Sequence, residues 1–256
     1  MFEEIELEEI ESIARDAGEA IMQIYSGDFD VEYKADSSPL TVADRKSNEI
    51  ICSSLRERYP DIPILSEENA EVPYEERREW KHYWCIDPID GTKEFIKRNG
   101  EFTVNIALIY ENRPVLGVVY VPAMGDIYTA KEGEGAWKNG RRLPLYESGD
   151  SDTIRVVASK SHLSEETQNF IDRIAQNYAN VEQVSRGSSL KLCMVAEGSA
   201  DIYPRLAPTM EWDTAAADAV VRAAGKMSYR LDADLKRDGK LLYNKENLLN
   251  PWFVVQ

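Results

Sequence analysis

A chain of 256 residues, 43% of them hydrophobic, is long enough for one large domain or two joined ones and too apolar for a disordered chain. Its 30 basic and 46 acidic residues leave a formal net charge of -16. Such a surface repels phosphate backbones and anionic lipid, which disfavours a nucleic-acid polymer or a membrane as main partner. It repels a phosphorylated small molecule too, unless bound cations invert the local field.

The segment Met1 to Glu11 is acidic, with no basic region and no apolar run, so a secretory signal or transit peptide is not expected. No stretch approaches the roughly 20 apolar residues of a bilayer span. Apolar residues Ile10, Ile13, Ala14, Ala17, Ile21 and Ile24 then recur at three- and four-residue steps and predict a first helix, stopped at Gly27. A second helix is predicted from Thr41 to Tyr59, with Ile50, Ile51 and Leu55 buried and Pro60 beyond its end. Strands are predicted at 62–65, 83–86, 103–109, 115–121 and 127–130. Turn-rich joints such as Glu111-Asn112-Arg113-Pro114 make the middle ones an antiparallel meander. Cys52, Cys85 and Cys193 stand far apart among apolar neighbours and read as reduced core thiols. With His82 and His162 as its two histidines, the chain has no His-rich metal site and little support for a Ser-His-Asp triad.

After Gly149-Asp150-Ser151-Asp152 the texture changes. Strand 153–158, helix 164–177, strand 181–184, helix 188–197 and strand 200–203 alternate, before a last helix at 214–224 with Gly225 at its C-cap. An α+β half (1–150) therefore precedes an α/β half (151–256).

Chemistry concentrates where the Trp84-Cys85-Ile86 strand runs into Asp87-Pro88-Ile89-Asp90-Gly91-Thr92. Pro88 fixes its own φ and Gly91 permits tight backbone geometry, so the turn can hold both carboxylates to one side. Paired hard oxygens suit Mg²⁺ and repel each other without a cation. A helix starting near Thr92 would add free amides for an anion. The segment equally reads as a helix N-cap or a plain turn. Ser66-Glu67-Glu68 reads as a solvated loop, Thr41-Val42-Ala43-Asp44 as a capping box, and Asp213, after Trp212, as an N-cap.

Taken together, S-P-L-T-x-A-D (Ser38–Asp44), S-E-E (Ser66–Glu68), D-P-I-D-G-T (Asp87–Thr92) and W-D-T-A-A-A (Trp212–Ala217) resemble the inositol monophosphatase superfamily. The likeness covers nearly the whole chain. Lys93 to Asn105 and Gly187-Ser188-Ser189-Leu190-Lys191 narrow it to the CysQ-type 3'(2'),5'-bisphosphate nucleotidases.

The resemblance implies a layered αβαβα sandwich of the inositol monophosphatase / fructose-1,6-bisphosphatase type and a Mg²⁺-dependent, lithium-sensitive phosphatase. By it Glu67, Asp87, Asp90 and Asp213 are metal ligands, joined by the Ile89 carbonyl. Four carboxylates carry about −4, which two or three Mg²⁺ would balance or exceed. Thr92 and Asp44 correspond to the pair that orients and deprotonates the attacking water, with Glu67 sharing that role and Thr41 supporting Asp44. Ser188, Lys191 and Arg205 correspond to nucleotide contacts, beside Glu67, Ile89, Asp90, Gly91, Thr92 and Asp213. His162 is either a further nucleotide neighbour or a loop histidine. The implied reaction is direct attack of a metal-activated water on adenosine 3',5'-bisphosphate, giving AMP and phosphate in sulfate assimilation, with its 5'-phosphosulfate analogue (PAPS) as a second substrate. Glu211, placed where inositol enzymes contact the sugar hydroxyls, keeps an inositol or sugar monophosphatase as the alternative. A non-enzymatic Mg²⁺ or nucleotide sensor is the rival of another class. The expected setting is cytoplasmic, with peripheral association to the inner membrane left open, and the expected state is a monomer or homodimer.

Overall fold

The computed structural model describes residues 4–28, 31–33, 39–146, 152–158 and 164–256. Ser38, the break at Gly149-Asp150-Ser151, and Lys160-Ser161-His162 lie outside the described residues.

Helix α1 (Leu7–Tyr25) buries Ile10, Ile13, Ala14, Ala17 and Ile21, the predicted stripe, and carries Glu8 and Glu9 at its positive end. Short strands β1 (Val31–Tyr33) and β2 (Pro39–Thr41) pair antiparallel and lead into α2 (Val42–Arg58). Strand β3 (Ile64–Ser66) passes into a 3-10 turn (Glu67–Asn69) and the single-turn helix α3 (Tyr74–Arg77). Strand β4 (His82–Asp90), helix α4 (Thr92–Ile96) and strands β5 (Thr103–Tyr110), β6 (Arg113–Val121), β7 (Asp126–Lys131), β8 (Gly135–Lys138) and β9 (Arg141–Arg142) follow.

Strands β3 to β9 lie in sequence order in one seven-stranded sheet, parallel only between β3 and β4. The predicted meander therefore forms and runs further, through β8 and β9. Side chains alternate across it with period two. Trp84, Ile86, Val104, Ile106 and Leu108 face α1 and α2, while Tyr83, Cys85, Ala107 and Ile109 enter a core on the other side.

The later chain supplies β10 (Thr153–Val157), α5 (Glu165–Ala175), β11 (Asn180–Val184), α6 (Leu190–Glu197), β12 (Tyr203–Arg205), α7 (Trp212–Ala223), β13 (Ser228–Leu231), β14 (Arg237–Lys240) and β15 (Phe253–Val255). Strands β10 and β11 pair in parallel; β12, β15, β13 and β14 form a second, antiparallel sheet in that order. Tyr203, Phe253 and Val255 face the core containing α6 and α7, whereas Ile202, Leu231 and Val254 pack with Phe170 and Ile171 of α5. The layers thus run α1/α2, large sheet, α6/α7, small sheet, α5.

Several boundaries differ from expectation, among them that of β4, which runs on through the expected turn to Asp90. The helix predicted from 188 starts at Leu190, because Ser188 sits at φ 50°, outside helical space. The helix predicted from 214 starts at Trp212, so Asp213 lies in its first turn and is not its N-cap. The strand predicted at 200–203 is Tyr203–Arg205, with Ile202 joined to Val156 by an isolated bridge. No described helix is long and apolar enough to cross a membrane.

Candidate active site

Strand β4 delivers two aspartates from one strand end. Asp87 pairs with Asn105 and Asp90 with Thr103 on β5, and the ladder is irregular between them, at Pro88-Ile89. Pro88 cannot donate to a ladder, and its carbonyl instead accepts from Ser47 Oγ at 2.8 Å. The Ile89 amide donates to Asp87 Oδ1 at 3.1 Å, fixing that carboxylate. Gly91 has φ 91°, and a Cβ there would collide with Ser188 Oγ. The Ser188 hydroxyl lies 2.8 Å from both the Asp90 and Glu101 carbonyls, so it ties the strand end to the β5 approach.

Helix α4 begins at Thr92, whose hydroxyl lies 3.1 Å from Asp44 Oδ1 and 3.3 Å from the Ile89 carbonyl. Asp44 closes a capping box at the start of α2. Its Oδ2 accepts from the Thr41 amide at 2.8 Å and the Thr41 hydroxyl at 2.6 Å. Burial pushes the Asp44 carboxyl up to about 6, against the pull of the Thr41 and Thr92 hydrogen bonds. The capping and site readings of Asp44 are both true of the geometry: one oxygen serves the helix and the other faces Thr92.

Asp213 arrives on α7 from the other half of the chain and accepts from the Met210 amide at 2.8 Å. One carboxylate oxygen from each of Asp87, Asp90 and Asp213 lies within 4.8 Å of the others. Glu67 follows Ser66, which is in register with Ile86, so parallel pairing sets it beside Asp87, with which it shares a hydrogen bond. Burial, then the charges of Glu67, Asp90 and Asp213, raise the Asp87 carboxyl far above the usual carboxylate range. Burial and the Asp90 charge push Asp213 up to about 8. Asp90 is raised by burial too, opposed first by the Lys191 ammonium and then by the Ser189 amide. Carboxylates held this close out of water are a donor set for a hard dication, and Mg²⁺ fits their chemistry.

A cavity of about 640 Å³ opens on this cluster, walled by Glu67, Asp87, Ile89, Asp90, Gly91, Thr92, Ser188 and Asp213. Asp44 reaches it through Thr92. Lys191 and Arg205 do not line it: Lys191 Nζ donates to the Ser188 carbonyl at 3.2 Å, and Arg205 Nη2 to the Pro208 carbonyl at 2.9 Å. Both charges still act on Asp90. Lys93, Thr209, Met210 and Leu249 line the cavity without having been expected there. Lys93 carried a signal, being the basic residue next to the D-G-T motif. Leu249, on the C-terminal loop, carried none.

Glu211 requires a correction. Its side chain is fully buried and accepts from the Asn244 amide at 2.7 Å, the Lys245 amide at 3.0 Å and Lys245 Nζ at 2.6 Å. It does not line the cavity, and these structural donors occupy the oxygens that would meet a sugar hydroxyl.

Comparison with known proteins places this geometry. Over 255 residues the chain is 48% identical to the 3'(2'),5'-bisphosphate nucleotidase CysQ of Shigella flexneri, covering 97% of this chain and 98% of the relative. It is 47% identical, with the same coverage, to the protein of that name from Escherichia coli (strain K12). The crystal structure of CysQ from Bacteroides thetaiotaomicron, a bacterial member of the inositol monophosphatase family, matches with a TM-score of 0.85 at 46% identity, over 98% of this chain and 96% of that one. The model of the inositol monophosphatase family matches residues 3–251, which takes in every segment that builds the cluster, and the chain belongs to that family.

Proposed function

We propose that this chain is a Mg²⁺-dependent 3'(2'),5'-bisphosphate nucleotidase, hydrolysing adenosine 3',5'-bisphosphate to AMP and phosphate. The observation that carries the reading is the convergence of Asp87, Asp90 and Asp213 beside the Thr92–Asp44 hydrogen bond, in a chain 48% identical to a nucleotidase of that name. Glu67, Asp87, Asp90 and Asp213, with the Ile89 carbonyl, would hold two or three cations. Bound there, Mg²⁺ supplies Lewis acidity toward a phosphoryl oxygen and the positive charge that draws phosphate into an acidic cavity.

The protein's own groups handle the proton. Thr92 donates to Asp44, which leaves the Thr92 oxygen free to accept from a water facing the cluster. As that water attacks phosphorus and the bond from phosphorus to the 3'-oxygen breaks, its proton passes to Thr92 Oγ1 while the Thr92 proton moves to Asp44, and the departing 3'-oxygen takes a proton from solvent to become the hydroxyl of AMP. With its carboxyl raised to about 6, Asp44 is a stronger base than an ordinary aspartate and is still ionised at neutral pH. Ser188 holds the Asp90 strand end in place, and Lys191 and Arg205, whose charges act on Asp90 from outside the cavity lining, supply the positive field for the phosphate that is not cleaved.

Phosphate release from adenosine 3',5'-bisphosphate, inositol 1-phosphate and fructose 1,6-bisphosphate, each with Mg²⁺ and with EDTA, tests the reading. The nucleotide should be preferred at least about tenfold in kcat/KM, the worth of one charge-assisted phosphate contact. EDTA should abolish turnover. A preference for the inositol ester would sink the nucleotide assignment, and full activity in EDTA would sink the metal site.

A further inference from the structure

A second cavity, of about 410 Å³, opens at the other end of α7. Asp213 occupies the first turn of that helix and Arg222 its last, about 13 Å along the axis. Ala219, Arg222 and Ala223 form one wall, with Arg113, Arg142 and Lys240 reaching it from β6, β9 and β14.

Four cations thus meet two carboxylates, Glu132 and Glu134. Arg113 grips Glu132 through Nε and Nη2 at 3.2 and 3.3 Å. Lys131 pairs with Glu134 at 2.8 Å, and Asp218 with Arg222 at 2.8 Å. These internal pairs leave Arg142 and Lys240. Arg142 stacks over Trp137 and donates to the Glu134 carbonyl at 3.2 Å, while Lys240 lies exposed on β14. Neither has a carboxylate partner among the described residues. A chain of net charge -16 therefore keeps two unbalanced positive charges on the wall of one concave site, brought together from segments far apart in sequence.

We propose that this cavity binds a small polyanion of the phosphate or sulfate class, at a site separate from the carboxylate cluster. The Arg142 fork offers paired donors to an oxyanion and Lys240 a mobile point charge. The apolar Ala219 and Ala223 surface leaves the ligand's charge for those two groups to balance. Because the protein as a whole repels anions, saturable binding of one reports a local site and not general attraction.

The test is calorimetric titration of inorganic pyrophosphate into the full-length protein, freed of divalent ions with EDTA, at low ionic strength. Without cations the carboxylate cluster repels the anion, which separates the two sites. One saturable event is expected, weakened at least about tenfold by Lys240→Glu or by Arg142→Glu and unchanged by Lys191→Ala. Both charge reversals fall on exposed positions: Lys240→Glu should leave the melting temperature unchanged, and Arg142→Glu, which gives up the Trp137 stack, should lower it by a few degrees at most. Absence of saturable binding would overturn the proposal. So would binding that ignores both reversals, or binding that Lys191→Ala removes.

Discussion

Asp44 and Thr92 are 48 residues apart, and each keeps a local role while serving the other. Asp44 finishes the cap of α2, and Thr92 opens α4. If the pair acts on one water, its members should fail together. Thr92→Ala and Asp44→Asn should each lower kcat/KM by about 10²–10⁴, and the double variant should cost far less than the product of the two. Fully multiplicative losses would show independent action. The sign of the pH effect follows from the raised carboxyl: Asp44 accepts a proton only when ionised, so kcat/KM should fall as pH drops through about 6, and that limb should vanish in the residual activity of Asp44→Asn. The cap was legible in T-x-x-D because its partners are three residues apart. The bond to Thr92 was legible only through resemblance, since no local pattern links positions so distant.

At the scale of elements, Asp213 is placed by the way α7 lies on β6. Ala216 and Ala219, three residues apart on one face of the helix, keep that side nearly flat, and Gly117 on the strand completes the close approach. A Cβ at Gly117 would clash with the Ala216 carbonyl, backbone that cannot swing aside, and come within 2.7 Å of Ala219 Cβ. Gly117→Ala should therefore lift α7, costing about 1–3 kcal/mol and lowering kcat as Asp213 moves away from Asp87 and Asp90. Unchanged melting and activity would show that α7 is not seated by this contact. The large sheet was readable because β5 and β6 are long apolar runs divided by a turn-rich joint. The small sheet was not. Its strands β13 and β14 are short and largely polar, β14 is exposed throughout, and β15 inserts between β12 and β13 against chain order. Short strands that pair non-locally carry no periodic signature of their own.

Over the whole molecule, charge and folding are linked through the same cluster. Asp213 is raised from an ordinary 3.8 to about 8 and Asp44 to about 6, and Asp87 and Asp90 move in the same direction, all chiefly by burial. A carboxyl raised on folding adds stability that is complete below its unfolded value. That stability is lost as pH rises toward the folded value, because the unfolded chain has then released a proton that the fold still holds. Protein freed of divalent ions should accordingly melt at progressively lower temperature from pH 5 to pH 8. Asp201 works in the opposite sense, its burial outweighed by the hydrogen bonds of Arg155, but a lowered carboxyl titrates below this window. For a chain of this size each kcal/mol lost is worth about 2–4 °C. Mg²⁺ should raise the melting temperature most at the alkaline end, where the carboxylates are ionised and ready to bind it, by the mass action of a ligand that prefers the folded state. Asp213→Asn separates the cluster from the general repulsion of an acidic chain, since it removes a carboxyl raised to about 8 and leaves the charge of the rest of the chain in place. The variant should show a flatter pH slope in EDTA and a smaller gain from Mg²⁺. A slope unchanged by that substitution would assign the pH dependence to the net charge of -16 instead of the cluster.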